Sequence, residues 1–157
     1  MTTGKKVIIG VVLVFVLLGY YGYSKAQKLI AIFQQMTMEP KNVGNFKVSL
    51  SSIDFTLDVM LTNPTVDSFD INSFGIASVK SIDIYYKKIY IATSSVNITS
   101  ISVPAKDQLI IYDIPVSVPP KLFVTNPALV YELATNFDLN QVITHAVIEI
   151  AGVQINI

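Results

Sequence analysis

Catalysis needs particular side chains at particular spacings, and this chain of 157 residues offers few of them. His145 is the only histidine, which excludes a two-histidine metal site and leaves at most one imidazole base. It opens the strand-like run HAVIEIAG on the face shared with Val147 and Glu149, which is the place of a surface or edge histidine. Serine and aspartate are plentiful, but no Gly-x-Ser-x-Gly turn is present to expose a nucleophile between them. The chain has no cysteine, so disulfides, thiolate nucleophiles and cysteine-ligated zinc are excluded. There is no phosphate-binding glycine loop either. The inventory predicts a protein that is not an enzyme and carries neither a cofactor nor a catalytic metal.

One cluster of acids merits weighing. Asp54 and Asp58 stand four apart in a strand pattern and so share a face, with Asp67 and Asp70 following the next turn. Hard cations want several oxygens, which makes a loose calcium site one reading; the spacing fits no EF-hand loop, and a solvated acidic face is the plainer one. Asn97-Ile98-Thr99 matches a glycosylation sequon, which matters only in a eukaryotic secretory pathway; as sequence it reads as strand.

The elements that carry these residues begin with an apolar segment. VIIGVVLVFVLLGYYGY, from Val7 to Tyr23, has no charged side chain, and Lys5-Lys6 and Lys25 bracket it. Seventeen residues at about 1.5 Å each approach the ~30 Å of a hydrocarbon core, and lysine stems that snorkel make up the difference. Tyr20, Tyr21 and Tyr23 sit at one end, where amphipathic rings prefer the headgroup layer. We expect one membrane-spanning helix. A secretory signal peptide is the competing reading, with Ser24-Lys25-Ala26 as a small-x-small step, but the long run and the three tyrosines favour an uncleaved anchor.

In KAQKLIAIFQQM, residues 25–36, Leu29, Ile32, Phe33 and Met36 fall on one helical face, so the helix should continue past the membrane. That face has three possible partners: its own domain, the bilayer or a second copy. Lys5 and Lys6 before the span balance Lys25 and Lys28 after it, and with the α-amino group they lean toward an N-terminus inside and a C-terminal domain outside or in a lumen. The first 36 residues hold four lysines and no acid; the rest has seven lysines against eleven acids, and there is no arginine. An acidic domain without guanidinium groups is a poor binder of nucleic acid.

Residues 1–36 thus form the anchor and its helical extension, 37–45 a linker, and 46–157 one domain. In the domain the period changes to two. Phe55, Leu57, Val59 and Leu61 point one way, and Ile82, Ile84 and Tyr86, then Ile114, Val116 and Val118, repeat the pattern. Shorter β-rich pieces stand at 89–93, 96–103 and 145–157. Many short half-buried strands read as an antiparallel β-sandwich, mainly β in class, with one short helix where Asn126 caps, Pro127 opens and Leu129, Val130, Leu133 and Ala134 form a stripe. The strand at 59–63 stops on Asn63-Pro64: proline cannot donate to a ladder, and the asparagine side chain can form an Asx-turn.

The order FTLDVMLTNPT, then FDINSFGIASVKSIDIYYKKIYIAT, then ISVPAKDQLIIYDIPVSVP resembles the type-2 late-embryogenesis-abundant family, or WHy domain. The resemblance covers about residues 46–157 and puts the family's Asn-Pro on Asn63 and Pro64. The Tyr-turn-Ile-Ala element falls on Tyr85, Tyr86, Ile91 and Ala92, and the Pro-Ala step on Pro104 and Ala105. Thr65 and Thr93-Ser94 depart from the pattern. The resemblance implies a fibronectin- or Ig-like β-sandwich, often behind one transmembrane helix, and no catalytic site. The expected role is a structural or binding module at a membrane surface, with the bilayer, other proteins or copies of itself as partners. Two further readings stand beside it: a structural component of a membrane-containing assembly such as a lipid-containing virion, and a lipid-binding module fed through the Leu29–Met36 face.

Overall fold

The computed structural model describes residues 19–71 and 77–157. The expected span at Val7–Tyr23, with Lys5, Lys6 and Val7 at its start, lies mostly outside them. Among the described residues no helix is long and apolar enough to cross a membrane.

The fold is mainly β. A helix, α1, occupies 19–33 of the described residues. Three strands, β1 (Thr37–Val48), β2 (Ile53–Asn63) and β7 (Asp107–Val118), form an antiparallel sheet with β2 at its centre. A second sheet runs in the order β5 (Ile89–Ile98), β4 (Ala77–Tyr86), β8 (Val142–Ile150), β9 (Val153–Asn156). A two-residue ladder joins β3 (Phe69–Asp70) to β6 (Ser102–Val103).

Alternation decides which faces meet. On β2 every odd residue from Ile53 to Asn63 is buried, and Ile82, Ile84 and Tyr86 of β4 and Ile114, Val116 and Val118 of β7 are buried as the period of two requires. Apart from Leu61 and Asn63, these side chains, drawn from both sheets, make one core. Rings close one end of it: Phe137 lies 5.5–5.6 Å from Phe46, Phe55 and Tyr86. Over that end α3 (Pro127–Thr135) buries Leu129, Val130 and Leu133, and the Asn126 side chain caps it by accepting from the Leu129 amide at 3.3 Å.

The structure corrects two boundaries. The expected linker over 37–45 is strand, the first part of β1. Register shifts between Pro40 and Asn42 and between Gly44 and Lys47 reverse the parity of the pattern twice, so this edge strand never alternates cleanly in sequence. And the single helix is preceded by a second, α2 (Pro120–Thr125), which ends where Asn126 begins the next. A short 3₁₀ turn, Leu139–Gln141, follows them. The apolar piece at 145–157 is a hairpin, turned at Ala151 and Gly152 with φ of 51° and 82°.

Candidate functional site

The residues singled out by sequence fall into three places. The first is the end of β2. Asn63 is wholly buried and uses its whole amide group. Its Oδ1 accepts from the Thr65 amide (3.1 Å) and the Thr65 hydroxyl (2.7 Å), which is the expected Asx-turn. Its Nδ2 donates toward the carbonyls of Asp67 (2.8 Å), Val103 (3.2 Å) and Pro104 (3.1 Å). The Lys106 amide then donates to the Thr65 carbonyl at 3.0 Å. So Asn63 and Pro104 are brought together, and the turn after β2 is stapled to the turn after β6. Pro64 and Ala105 are exposed beside them and complete the two bends.

The second place is the β4–β5 hairpin. Its turn is Lys87-Lys88, both at positive φ (51° and 66°), a conformation that costs an L-residue about 1 kcal/mol or more. Two interactions outside the hairpin hold it: the Lys87 amide donates to the Gln141 carbonyl (2.9 Å), and the Lys87 ammonium pairs with Glu132 on α3. Hydrogen bonding to Glu132 raises the Lys87 pKa above its ordinary value. Tyr86 is buried with its hydroxyl donating to the Asn136 carbonyl (3.4 Å) and accepting from the Asp138 amide (3.2 Å). Ile91 and Ala92 are core, and Tyr85 is half-buried, edge-on to His145 at 5.3 Å.

The third place is the helix. Ala26, Leu29, Ile32, Phe33 and Met36 are all buried, in a second cluster with Leu61, Phe69, Val103, Ala146, Ile148 and Ile150. Phe33 stacks on Phe69 at 5.6 Å, and Lys28 reaches Asp67 at 2.7 Å. Of the three possible partners for this face, its own domain covers it. The other end of α1 is bare: Tyr20, Tyr21 and Tyr23 are 73%, 70% and 66% exposed. Lys25 is exposed as well.

The acids do not converge. Asp54 accepts from Ser52 and Ser117, Asp58 from the Asp113 amide, and Asp67 pairs with Lys28. Among the described residues no group of three or more His, Asp or Glu side chains is placed to hold a metal ion. His145 is exposed, with Nδ1 3.1 Å from the Ile157 carbonyl oxygen.

One feature had no sequence signal. Where the outer strands β5 and β7 meet, a groove of about 380 Å³ is lined by Asn45, Lys47, Asp54, Thr56, Ser94 and Ser117, with Phe55, Pro115 and Val116 as its apolar wall. The Asp54 carboxyl is held below its usual range, chiefly by the Ser117 hydroxyl, then by Ser52; desolvation opposes them, and the Lys47 charge adds a smaller lowering. The Ser94 and Thr144 hydroxyls are buried and have no hydrogen-bond partner among the described residues.

No family model matches the chain, and no curated protein does. A crystal structure of a protein from Archaeoglobus fulgidus is similar at 12% identity and a TM-score of 0.36, over 78% of this chain and 86% of that one. The solution structure of a protein described as a candidate late embryogenesis abundant (LEA) protein is similar at 18% identity and a TM-score of 0.33, over 94% of this chain and 76% of that one. Likenesses this distant carry no argument about function.

Proposed function

We propose that the protein is a non-enzymatic, single-pass membrane protein that presents a fibronectin- or Ig-like β-sandwich of the type-2 LEA/WHy kind as a structural or binding module at the membrane surface. The observation that carries this reading is the division of α1. Its later turns are buried in the domain from Ala26 onward, while the turn before them bears three exposed tyrosines and continues an uncharged apolar sequence. A helix that only completed the domain would have no use for that apolar extension. A helix that enters a bilayer needs it, and its docked half holds the domain close to the headgroups. On this reading the N-terminus lies inside and the domain on the outer or lumenal side.

Fractionation of cells that express the full chain tests it. The protein should stay with the membranes through an alkaline carbonate wash, and Leu13→Lys with Val16→Lys should release it, because intramembrane charge costs a few kcal/mol per residue. A wild-type protein that washes off folded would overturn the anchor.

A second reading, a link between a membrane and a protein layer such as a virion shell, draws on the turn between β1 and β2. Leu50 is fully exposed there and Val48 is half-exposed, at the end of β2 opposite to Asn63 and the helix. Apolar side chains away from the membrane end suit a protein contact. Purification in mild detergent decides between the two: a defined complex that Leu50→Glu disrupts favours the link, and a monomer favours the single module.

A further inference from the structure

Asn97-Ile98-Thr99 is the only glycosylation sequon in the chain, because Asn63-Pro64-Thr65 is barred by its proline and Asn63 is buried besides. The structure puts both of its polar side chains in the open. Asn97 is the last residue but one of β5, exposed and at a φ of 45°. The β4–β5 register steps there from Ser81↔Ser95 to Val79↔Ile98, so Val96 and Asn97 together stand against Lys80 in a bulge. Thr99 follows the strand and is exposed too. Neither side chain makes a hydrogen bond among the described residues, which leaves the amide nitrogen and the hydroxyl free to react and to be recognised.

A second observation bears on the same strand. Sheet edges present unpaired amides and carbonyls, and proteins guard them with charge, proline or brevity. Of the four outer strands, β1 has Glu39, Pro40, Lys41 and Lys47, β7 has Asp107, Asp113 and Pro115, and β9 is four residues long. β5 runs for ten residues with no charge and no proline, and its far side joins no ladder among the described residues. We propose that Asn97 carries an N-linked glycan, which shields the open edge of β5 from other strands. In the transfer, Asn97 Nδ2 bonds to the anomeric carbon of a sugar carried on a lipid pyrophosphate. The carbon–oxygen bond to the pyrophosphate breaks, its electron pair leaves with the phosphate, and the amide gives up one proton. Thr99 supplies the hydroxyl that the sequon requires. A bulky, hydrated chain at the bulge adds the guard that the strand's own residues lack. The proposal rests on the outer or lumenal placement of the domain, the side on which such sugars are transferred.

The test uses the full chain from its native membranes, digested with peptide-N-glycosidase in heavy-oxygen water, which turns a glycan-bearing asparagine into a labelled aspartate. Position 97 should carry the label. Protease added from the cytoplasmic side of the sealed membranes reports separately where the domain lies. A domain spared by that protease with Asn97 unlabelled overturns the glycan alone; a domain cut from that side overturns the placement and the glycan with it. Thr99→Ala, at an exposed side chain without partners, should abolish the label, and Thr99→Ser, which keeps the hydroxyl, should retain it. Equal labelling of the two variants overturns the assignment to this sequon. In mild detergent the bare Thr99→Ala protein should show a severalfold larger fraction of dimers and larger species by sedimentation than the glycosylated wild type. A variant as monomeric as the wild type overturns the shielding of the edge.

Discussion

The Asn63 side-chain nitrogen donates to the Pro104 carbonyl at 3.1 Å, joining residues 41 apart in the chain. One buried amide therefore sets where β2 stops, how its turn folds and where the turn before β7 lies against it. Removing it leaves up to three carbonyls short of a donor. Asn63→Ala should destabilise the domain by about 2–4 kcal/mol, read as a lower denaturation midpoint. Asn63→Asp should cost more, because a carboxylate keeps the Thr65 contacts but turns an acceptor on three carbonyl oxygens. A midpoint for Asn63→Asp at or above that of Asn63→Ala would refute this account.

Helix docking rests on packing and not on charge. Phe33→Ala should cost about 3–5 kcal/mol and speed amide exchange along α1, since the ring is 1% exposed and stacked on Phe69. Lys28→Ala should cost less than about 1 kcal/mol, because the side chains of the pair with Asp67 are 59% and 48% exposed. Equal effects of the two changes would contradict this ranking.

Tyr86→Phe isolates the hydroxyl that ties β4 to the segment after α3. The ring, stacked on Phe137, stays, and two hydrogen bonds go. The Asp138 amide loses its acceptor, so a loss of about 1–2 kcal/mol is expected by chemical denaturation. An unchanged midpoint would mean that the Asn136–Asp138 segment is held by other contacts.

Asp54 and Lys87 make stability depend on pH in opposite directions. The folded-state pKa of Asp54 is depressed, so its contribution is complete above the ordinary 3.8 and is lost as the pH falls through the lower folded value. That of Lys87 is raised, so its contribution is complete below 10.5 and is lost as the pH climbs through the higher folded value. Asp54→Asn should lower the denaturation midpoint near neutrality and converge on wild type in strong acid. Glu132→Gln should do the same from the alkaline side. Parallel curves with no convergence would show that these groups are not linked to folding.

Sequence revealed what is local. The inward sets on β2, β4 and β7, the cap at Asn126, the Asx-turn at Asn63 and the apolar stripe from Leu29 to Met36 each follow from one segment's own period or side-chain chemistry. The rest depends on neighbours. The period of β1 is broken by its bulges, and α2 is a single short segment with no buried residue of its own. Nothing near Asn63 points to Val103 and Pro104, and nothing near Ser94 says that its partner is missing. The groove exists only because β5 and β7, far apart in sequence, come together.

The docked helix bears on how the chain is made. The apolar face from Ala26 to Met36 leaves a ribosome well before its partners, since the cluster that covers it includes Phe69, Val103 and, on β8, Ala146, Ile148 and Ile150. At about 5–20 residues per second the helix waits several seconds for its final partners. Its contacts with β8 close loops that run over about 70% or more of the chain, the kind of closure that slows folding and leaves greasy surface uncovered meanwhile. The helix and the last strands thus meet late, like a clasp fastened after everything between them is in place.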